Sequence, residues 1–377
     1  MNHFLFIIGL ALFWYALVPL AGSFISRRIW RVFRERFNGL RLRPFLDYAG
    51  CRRADGETYR FIGGVEAVEE AVLWVRSETL TVPVLLEGAK TYMLPTPERD
   101  GDWGAAPEKI RWNQVTALTE GAKVFVGGPL VRRGPRRLFA STAQQPLLII
   151  FYDGPDRSLG LRAVGARRHK NEYWNALTPY AFTCGAFSLL MVAMSFLSRP
   201  AFRLTMITAF FALFIPLFPF FPPGVLLTLL YRQLWWQGRL FRVYQDLVMA
   251  PLCYVPQAQG SGAAPWECRL PDGERYGAAY LSQEALQRCR IPLIIPESPV
   301  KDWYVFGALR TEEAGRQALA EPQDPFALFG AVPGKPAALA SRYRRKALVL
   351  ELVSCAVFLG GIGLNILFIW FAILLFV

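Results

Sequence analysis

The chain has 377 residues, 53% hydrophobic and 14% aromatic but only 19% charged, which excludes a protein that is water-soluble along its whole length, since soluble domains carry about 25% charge. Its net charge of +13, mostly from arginine, admits anionic lipid or nucleic acid as a partner; the charge gathers beside apolar runs, as it does where Lys and Arg fix insertion in cytoplasmic loops, and so points to lipid. Six cysteines without a CxxC pair and only two histidines, His3 and His169, leave a Cys/His zinc site almost without ligands, and no cofactor is expected.

The first apolar run, Phe4 to Ile25, carries no charge and spans about 33 Å as a helix, enough for the hydrocarbon core. Basic residues follow it (Arg27, Arg28, Arg31, Arg34, Arg36) rather than precede it, so residues 1–25 read as an uncleaved anchor, not a signal peptide. Trp30, Phe33 and Phe37 then alternate with arginines at helical spacing, and residues 26–45 are expected to form a basic amphipathic helix on the membrane surface.

Residues 46–175 are expected to form a β-rich domain, a small barrel or sandwich. Leu80–Leu86, Thr91–Leu94, Lys123–Val131 and Pro146–Tyr152 are apolar or β-branched runs bounded by Gly, Pro and Asp turns. Glu66, Glu69 and Glu70 read as a solvated helix face. Over about residues 110–175, the run Thr119-Glu120-Gly121-Ala122-Lys123-Val124-Phe125-Val126-Gly127-Gly128-Pro129-Leu130, followed by a β meander and an apolar segment, resembles the OB-like membrane-attached barrel of NfeD-like and GIDE-type proteins. That resemblance implies membrane-associated scaffolding or partner binding. It does not carry ubiquitin-ligase activity, because no Cys/His series for a RING finger follows.

Two basic groups in this region are candidate contacts for anionic lipid or a protein partner: the hairpin tip Arg132, Arg133, Arg136 and Arg137, and the pair Arg167 and Arg168 before the next apolar run. Without aromatics between the tip arginines, nucleic acid is not expected as a partner. His169, between Arg168 and Lys170, reads as a polar residue in a headgroup-facing turn, and Asp100 and Asp102 as loop residues.

Residues 176–198 and 204–231 form a helical hairpin of two further crossings. The latter contains Pro216, Pro219, Pro222 and Pro223 before Gly224, which predicts a kinked or broken helix whose freed carbonyls are satisfied by neighbours. A second basic, aromatic surface helix follows at 232–249, then a second, smaller mixed domain at 250–347, with strands expected at Ile291–Pro296 and Asp302–Gly307. The fourth crossing is 352–377, where Ala356, Gly360 and Gly363 suit close helix packing, internal or between subunits. Asn365 is its one strongly polar mid-span residue, fit for an interhelical hydrogen bond.

The predicted architecture is thus a four-span helical protein of the inner, cytoplasmic membrane with both polar regions inside and both termini outside. No P-loop, GxGxxG, GxSxG or HExxH occurs, and no Asp, Glu, Lys or His lies mid-span. The chain therefore reads as a membrane scaffold or complex subunit, bound to the bilayer and to a protein partner or its own copies. A membrane enzyme acting on a lipid or lipid-linked substrate and a transport subunit are the alternatives.

Overall fold

The computed structural model describes residues 2–52, 56–95, 107–111, 121–168, 170–222, 224–254, 266–289, 291–295, 302–311 and 317–376. In chain order its helices and strands are α1 (Asn2–Leu12), a π-helical turn (Phe13–Leu17), α2 (Val18–Arg41), β1 (Thr58–Glu69), β2 (Val72–Arg76), β3 (Thr81–Leu85), β4 (Lys90–Leu94), β5 (Glu108–Ile110), β6 (Lys123–Arg133), β7 (Arg136–Phe139), β8 (Leu148–Tyr152) and α3 (Asp156–Gly165). Then come α4 (Leu177–Phe196), α5 (Arg203–Leu213), a 3-10 turn (Ile215–Phe220), α6 (Gly224–Met249), β9 (Trp266–Arg269), β10 (Arg275–Ser282), α7 (Gln283–Cys289), β11 (Asp302–Thr311), β12 (Gln317–Ala320), β13 (Gly330–Pro333) and α8 (Pro336–Phe376). The chain divides into two units, one of Met1–Val32, Lys170–Leu240 and Lys346–Val377, the other of Phe33–His169 and Phe241–Arg345.

The first unit is helical because its sequence is. Among the described residues three helices are long and apolar enough to cross a membrane, His3–Arg41, Leu177–Phe196 and Pro336–Phe371. Large apolar side chains such as Phe24, Phe187, Leu359 and Phe371 stand exposed on them, where water would penalise them. Inward faces interleave alanines with larger side chains: Ile7, Ala11 and Tyr15 meet Leu189 and Ala193 of α4 and Ala209 and Ala212 of α5. At Gly185 an added Cβ would lie 2.7 Å from the Tyr15 ring, so this crossing point requires glycine.

The proline-rich run breaks as the sequence predicts. After α5 the chain makes a 3-10 turn holding Pro216 and Pro219, and α6 starts only at Gly224. The groups this frees are paired from other helices. Asn365 of α8, 1% exposed, donates to the carbonyls of Phe218 and Phe221 and accepts from the Gly224 N–H at 3.2 Å. Thr228 donates to Pro219 O at 2.7 Å. A buried backbone group left unpaired would cost about 1–3 kcal/mol, which is why a mid-helix asparagine is tolerated here.

The second unit carries two sheets. In the first, β1 pairs with β2, β2 with β3, β3 with β7 in parallel, β7 with β6, and β6 back with β1, closing a ring of five strands. β1 serves two neighbours: Thr58–Gly64 pair with β6 and Gly64–Glu69 with β2. The change of partner falls at Gly63-Gly64, where a Cβ on Gly63 would lie 2.3 Å from Arg76 O; a side chain there would push the strands apart. β4, β5 and β8 extend the sheet beyond β6. Leu73, Val75, Val84, Val126, Phe139 and Ile149 fill its interior.

Glu66 and Glu69 lie on β1, and Glu70 takes a left-handed turn conformation (φ 53°), so this acidic segment is a strand and its turn, not a helix face. Burial of Phe61 and Val65 on the same strand decides the outcome over the helical spacing of the three acids.

The second sheet runs β9-β10-β11, with β12 and β13 sharing the far edge of β11. Tyr276, Tyr304 and Phe306 are its buried aromatics. Of the run expected as a strand at Ile291–Pro296, Leu293 makes a single bridge to Ala331 and Pro296 lies outside the described residues. Pro292 has no N–H with which to build a ladder.

Both polar regions contribute to this one unit. Phe37 of α2, wholly buried, stacks edge-on against Phe125 of β6 and Phe326, and Phe33 meets Tyr92 of β4. The aromatic face expected on the membrane surface is, from Phe33 to Leu40, protein core.

Candidate functional site

Three polar constellations stand out. The first is exposed: the hairpin between β6 and β7 turns through Gly134 (φ 62°) and Pro135, in register Arg132↔Arg137 and Arg133↔Arg136. Like charges directly opposite on a hairpin destabilise it by a few tenths of a kcal/mol to about 1 kcal/mol, so the facing arginine pairs work against the hairpin rather than for it. Arg132, Arg133 and Arg136 are exposed and Arg137 half-buried. Arg136 lies 6.0 Å from the centre of the Trp74 ring on β2, an aromatic neighbour from another strand that local sequence could not show.

The second constellation is sealed inside the second unit. Arg60 of β1 makes a two-pronged pair with Asp324, at 3.1 and 2.6 Å, and both side chains have no exposed surface. Its guanidinium sits 4.0 Å from the Phe45 ring centre and 5.3 Å from that of Phe326. Nearby Arg41, 2% exposed, donates to Ala250 O and faces the Tyr254 ring at 5.7 Å. Burial pushes the Tyr254 hydroxyl up to about 12, opposed by Arg41. Arg162 of α3 donates to the carbonyls of Asp153, Leu94 and Pro95, and burial lowers its pKa.

The third lies in the helical unit. Glu172 accepts from Arg27 of α2 at 3.2 Å and from Arg239 of α6 at 2.5 Å; Arg239 also stands 3.9 Å from Glu351 of α8 and 4.4 Å from the Trp235 ring centre. Asn171 donates to the Tyr231 hydroxyl at 2.6 Å. One acid thus ties together three sequence-distant segments.

Arg168 is engaged with Asp246 at 2.5 Å, so it is not an open anion contact, and Arg167 is half-buried in a left-handed conformation (φ 59°). His169, Asp100 and Asp102 lie outside the described residues. His3 packs edge-on against Phe196 and Phe202.

On α8 the face used within the chain is Ser354, Gly361 and Asn365, all buried, whereas Ala356 and Gly360 are exposed and a Cβ on Gly360 or Gly363 would meet nothing within 4 Å. Among the described residues no group of three His, Cys, Asp or Glu could hold a metal, and Cys51, Cys184, Cys253, Cys268 and Cys355 are free thiols.

Arg60, Asp324, Arg41, Glu172 and Arg239 were not singled out by sequence reasoning. For Arg60 a signal existed, a cation between Tyr59 and Phe61 inside a strand. Arg41 is indistinguishable by sequence from the basic flank of a membrane anchor. No family model, no curated protein and no solved structure matches the chain.

Proposed function

We propose that this chain is a four-crossing membrane scaffold or complex subunit whose β-rich unit meets partners in the cytoplasm. The observation that carries the reading is the contrast in how charge is used. The buried ion pair and the three-segment Glu172 network hold the chain's own parts together, while Arg132, Arg133 and Arg136 of the hairpin tip stand exposed to solvent. Acidic surfaces of a partner protein, or of a second copy, are the occupants it suits, with anionic headgroups beside them.

The third crossing is two half-helices in this reading. His3, Tyr15 and Arg27 are spaced by twelve residues, about 18 Å per interval along the helix. His3 meets Phe196 and Phe202, where α4 ends and α5 begins, and Tyr15 donates to Leu213 O, where α5 ends. Arg27 shares Glu172 with Arg239 of α6. The 11 residues of α5 cover about 16 Å and Gly224 to Arg239 about 22 Å, together the length of a crossing. Basic clusters at Arg27–Arg36 and Arg342–Lys346 support an orientation with the polar regions in the cytoplasm and both termini outside.

The ring order β1-β2-β3-β7-β6, with β3 and β7 parallel, supports an OB-like barrel, although the ring begins at Thr58, well before the segment that suggested it. The broken crossing favours a transport subunit as the second reading; Asn365 and Thr228 already occupy the freed groups, which makes it the weaker one.

The test is purification of the full chain in mild detergent with cross-linking. A partner or a defined oligomer is expected, lost when Arg132, Arg133, Arg136 and Arg137 are all changed to Glu while the melting temperature holds. A monodisperse monomer without partners would count against the scaffold.

A further inference from the structure

Among the described residues, the second unit buries a cation, Arg41, whose contacts include no carboxylate. Arg41 ends α2 with its guanidinium buried, and its described contacts are one carbonyl, Ala250 O, and the Tyr254 ring; its Nε has no partner. The Tyr254 hydroxyl is likewise buried without a hydrogen bond. Asp324, the nearest buried acid, is already held by both amino groups of Arg60, so two buried guanidiniums share one carboxylate. The loop that follows Tyr254, Val255 to Pro265, contains no acidic residue. An unpaired charge in a low-dielectric interior is costly enough that proteins pair it or supply a counter-ion.

Beside Arg41 lies a small cavity, lined on its other sides by Arg157, Leu161, Val164, Leu247 and Phe326, with room for about one water-sized sphere. Arg157 lines it while donating to Pro322 O and pairing with Glu321 at the surface, so a second cation stands at this cavity. With Glu321 offsetting Arg157, the buried Arg41 guanidinium sets the charge at these apolar walls, which repels a cation and attracts an anion. The size decides which: a halide is close to a water in volume, whereas a phosphate or carboxylate group is several times larger.

We propose that this cavity is a structural anion site that holds one chloride-sized monovalent anion between Arg41 and Arg157. The ion would complete the charge balance of the buried Arg41, Arg60 and Asp324 cluster and fasten α2, α3 and the end of α6 to one another within the second unit.

Melting of the full-length protein in detergent, followed by tryptophan fluorescence, tests this. Sodium chloride is titrated against sodium gluconate at constant ionic strength, with sodium phosphate as a third arm. Chloride at saturation is expected to raise the melting temperature by about 3 °C or more, with the response abolished in Arg41→Gln and weakened in Arg157→Gln. Should Arg41→Gln fail to fold, bromide-soaked crystals of the unaltered protein decide, with an anomalous peak expected beside Arg41. An equal chloride response in Arg41→Gln, a response to phosphate but not chloride, or a cavity without bromide would each overturn the proposal.

Discussion

Asp324→Asn replaces a carboxylate by an amide of nearly the same shape and so isolates the charge of the buried pair. In the native protein both amino nitrogens of Arg60 donate to it, and Asp324 Oδ1 also accepts the Phe326 N–H at 2.9 Å. The substitution leaves a fully buried guanidinium between Phe45 and Phe326 with no carboxylate. Breaking one side of a buried pair costs about 3–5 kcal/mol, a third or more of the stability of an ordinary domain.

Replacing both partners, Arg60→Met with Asp324→Leu, removes the stranded charge and is expected to recover most of that loss. The exposed pair Arg275–Glu267, with side chains 42% and 44% exposed, serves as the control, since such pairs contribute about 0–1 kcal/mol. Urea unfolding of the full chain in detergent, read by tryptophan fluorescence, measures all three variants. If Asp324→Asn destabilises no more than Glu267→Gln, the two segments are not joined as described.

Two further outcomes follow from the same structure. Asn365→Leu strands the carbonyls of Phe218 and Phe221 and the Gly224 N–H, so the full chain in detergent should lose about 1–3 kcal/mol, seen as a drop of several degrees in melting temperature; an unchanged melt would mean that the break is held by other groups. Burial, with Glu267 beside it, pushes the Cys268 thiol up to about 11 from an ordinary 9.0. At pH 8 its thiolate population, and so its alkylation by iodoacetamide, should be about 100-fold below that of an ordinary thiol and should climb until the pH passes about 11; alkylation of Cys268 at an ordinary rate at pH 8 would refute this.

What could be read from sequence was what local pattern encodes. Charge-free runs marked three long apolar helices, four prolines marked the break between α5 and α6, and alternation with turn residues marked β3, β4, β6, β8 and β11. Asn365 was legible as a hydrogen-bonding residue, though not as the group that caps the break.

What escaped was long-range. Arg60 and Asp324 stand 264 residues apart, and neither residue announces the other. The burial of Phe37 against Phe125 and Phe326 could not be told from a membrane-surface stripe, because both environments ask for the same helical spacing of aromatics. For the same reason the small residues of α8 were legible as a class while the face that packs inside the chain, Ser354, Gly361 and Asn365, was not.

The central claim is the four-crossing arrangement with a broken third crossing, and topology mapping tests it most directly. In a full chain whose native cysteines are removed, single cysteines enter at Pro135, Ser198 and Asp272 (Pro135→Cys, Ser198→Cys, Asp272→Cys), and sealed vesicles of each orientation meet a membrane-impermeant maleimide. Labelling at Ser198→Cys from the outer face only, and at Pro135→Cys and Asp272→Cys from the cytoplasmic face only, is predicted. Labelling of Asp272→Cys on the same side as Ser198→Cys would show that residues 203–231 turn back without crossing, and would contradict the account.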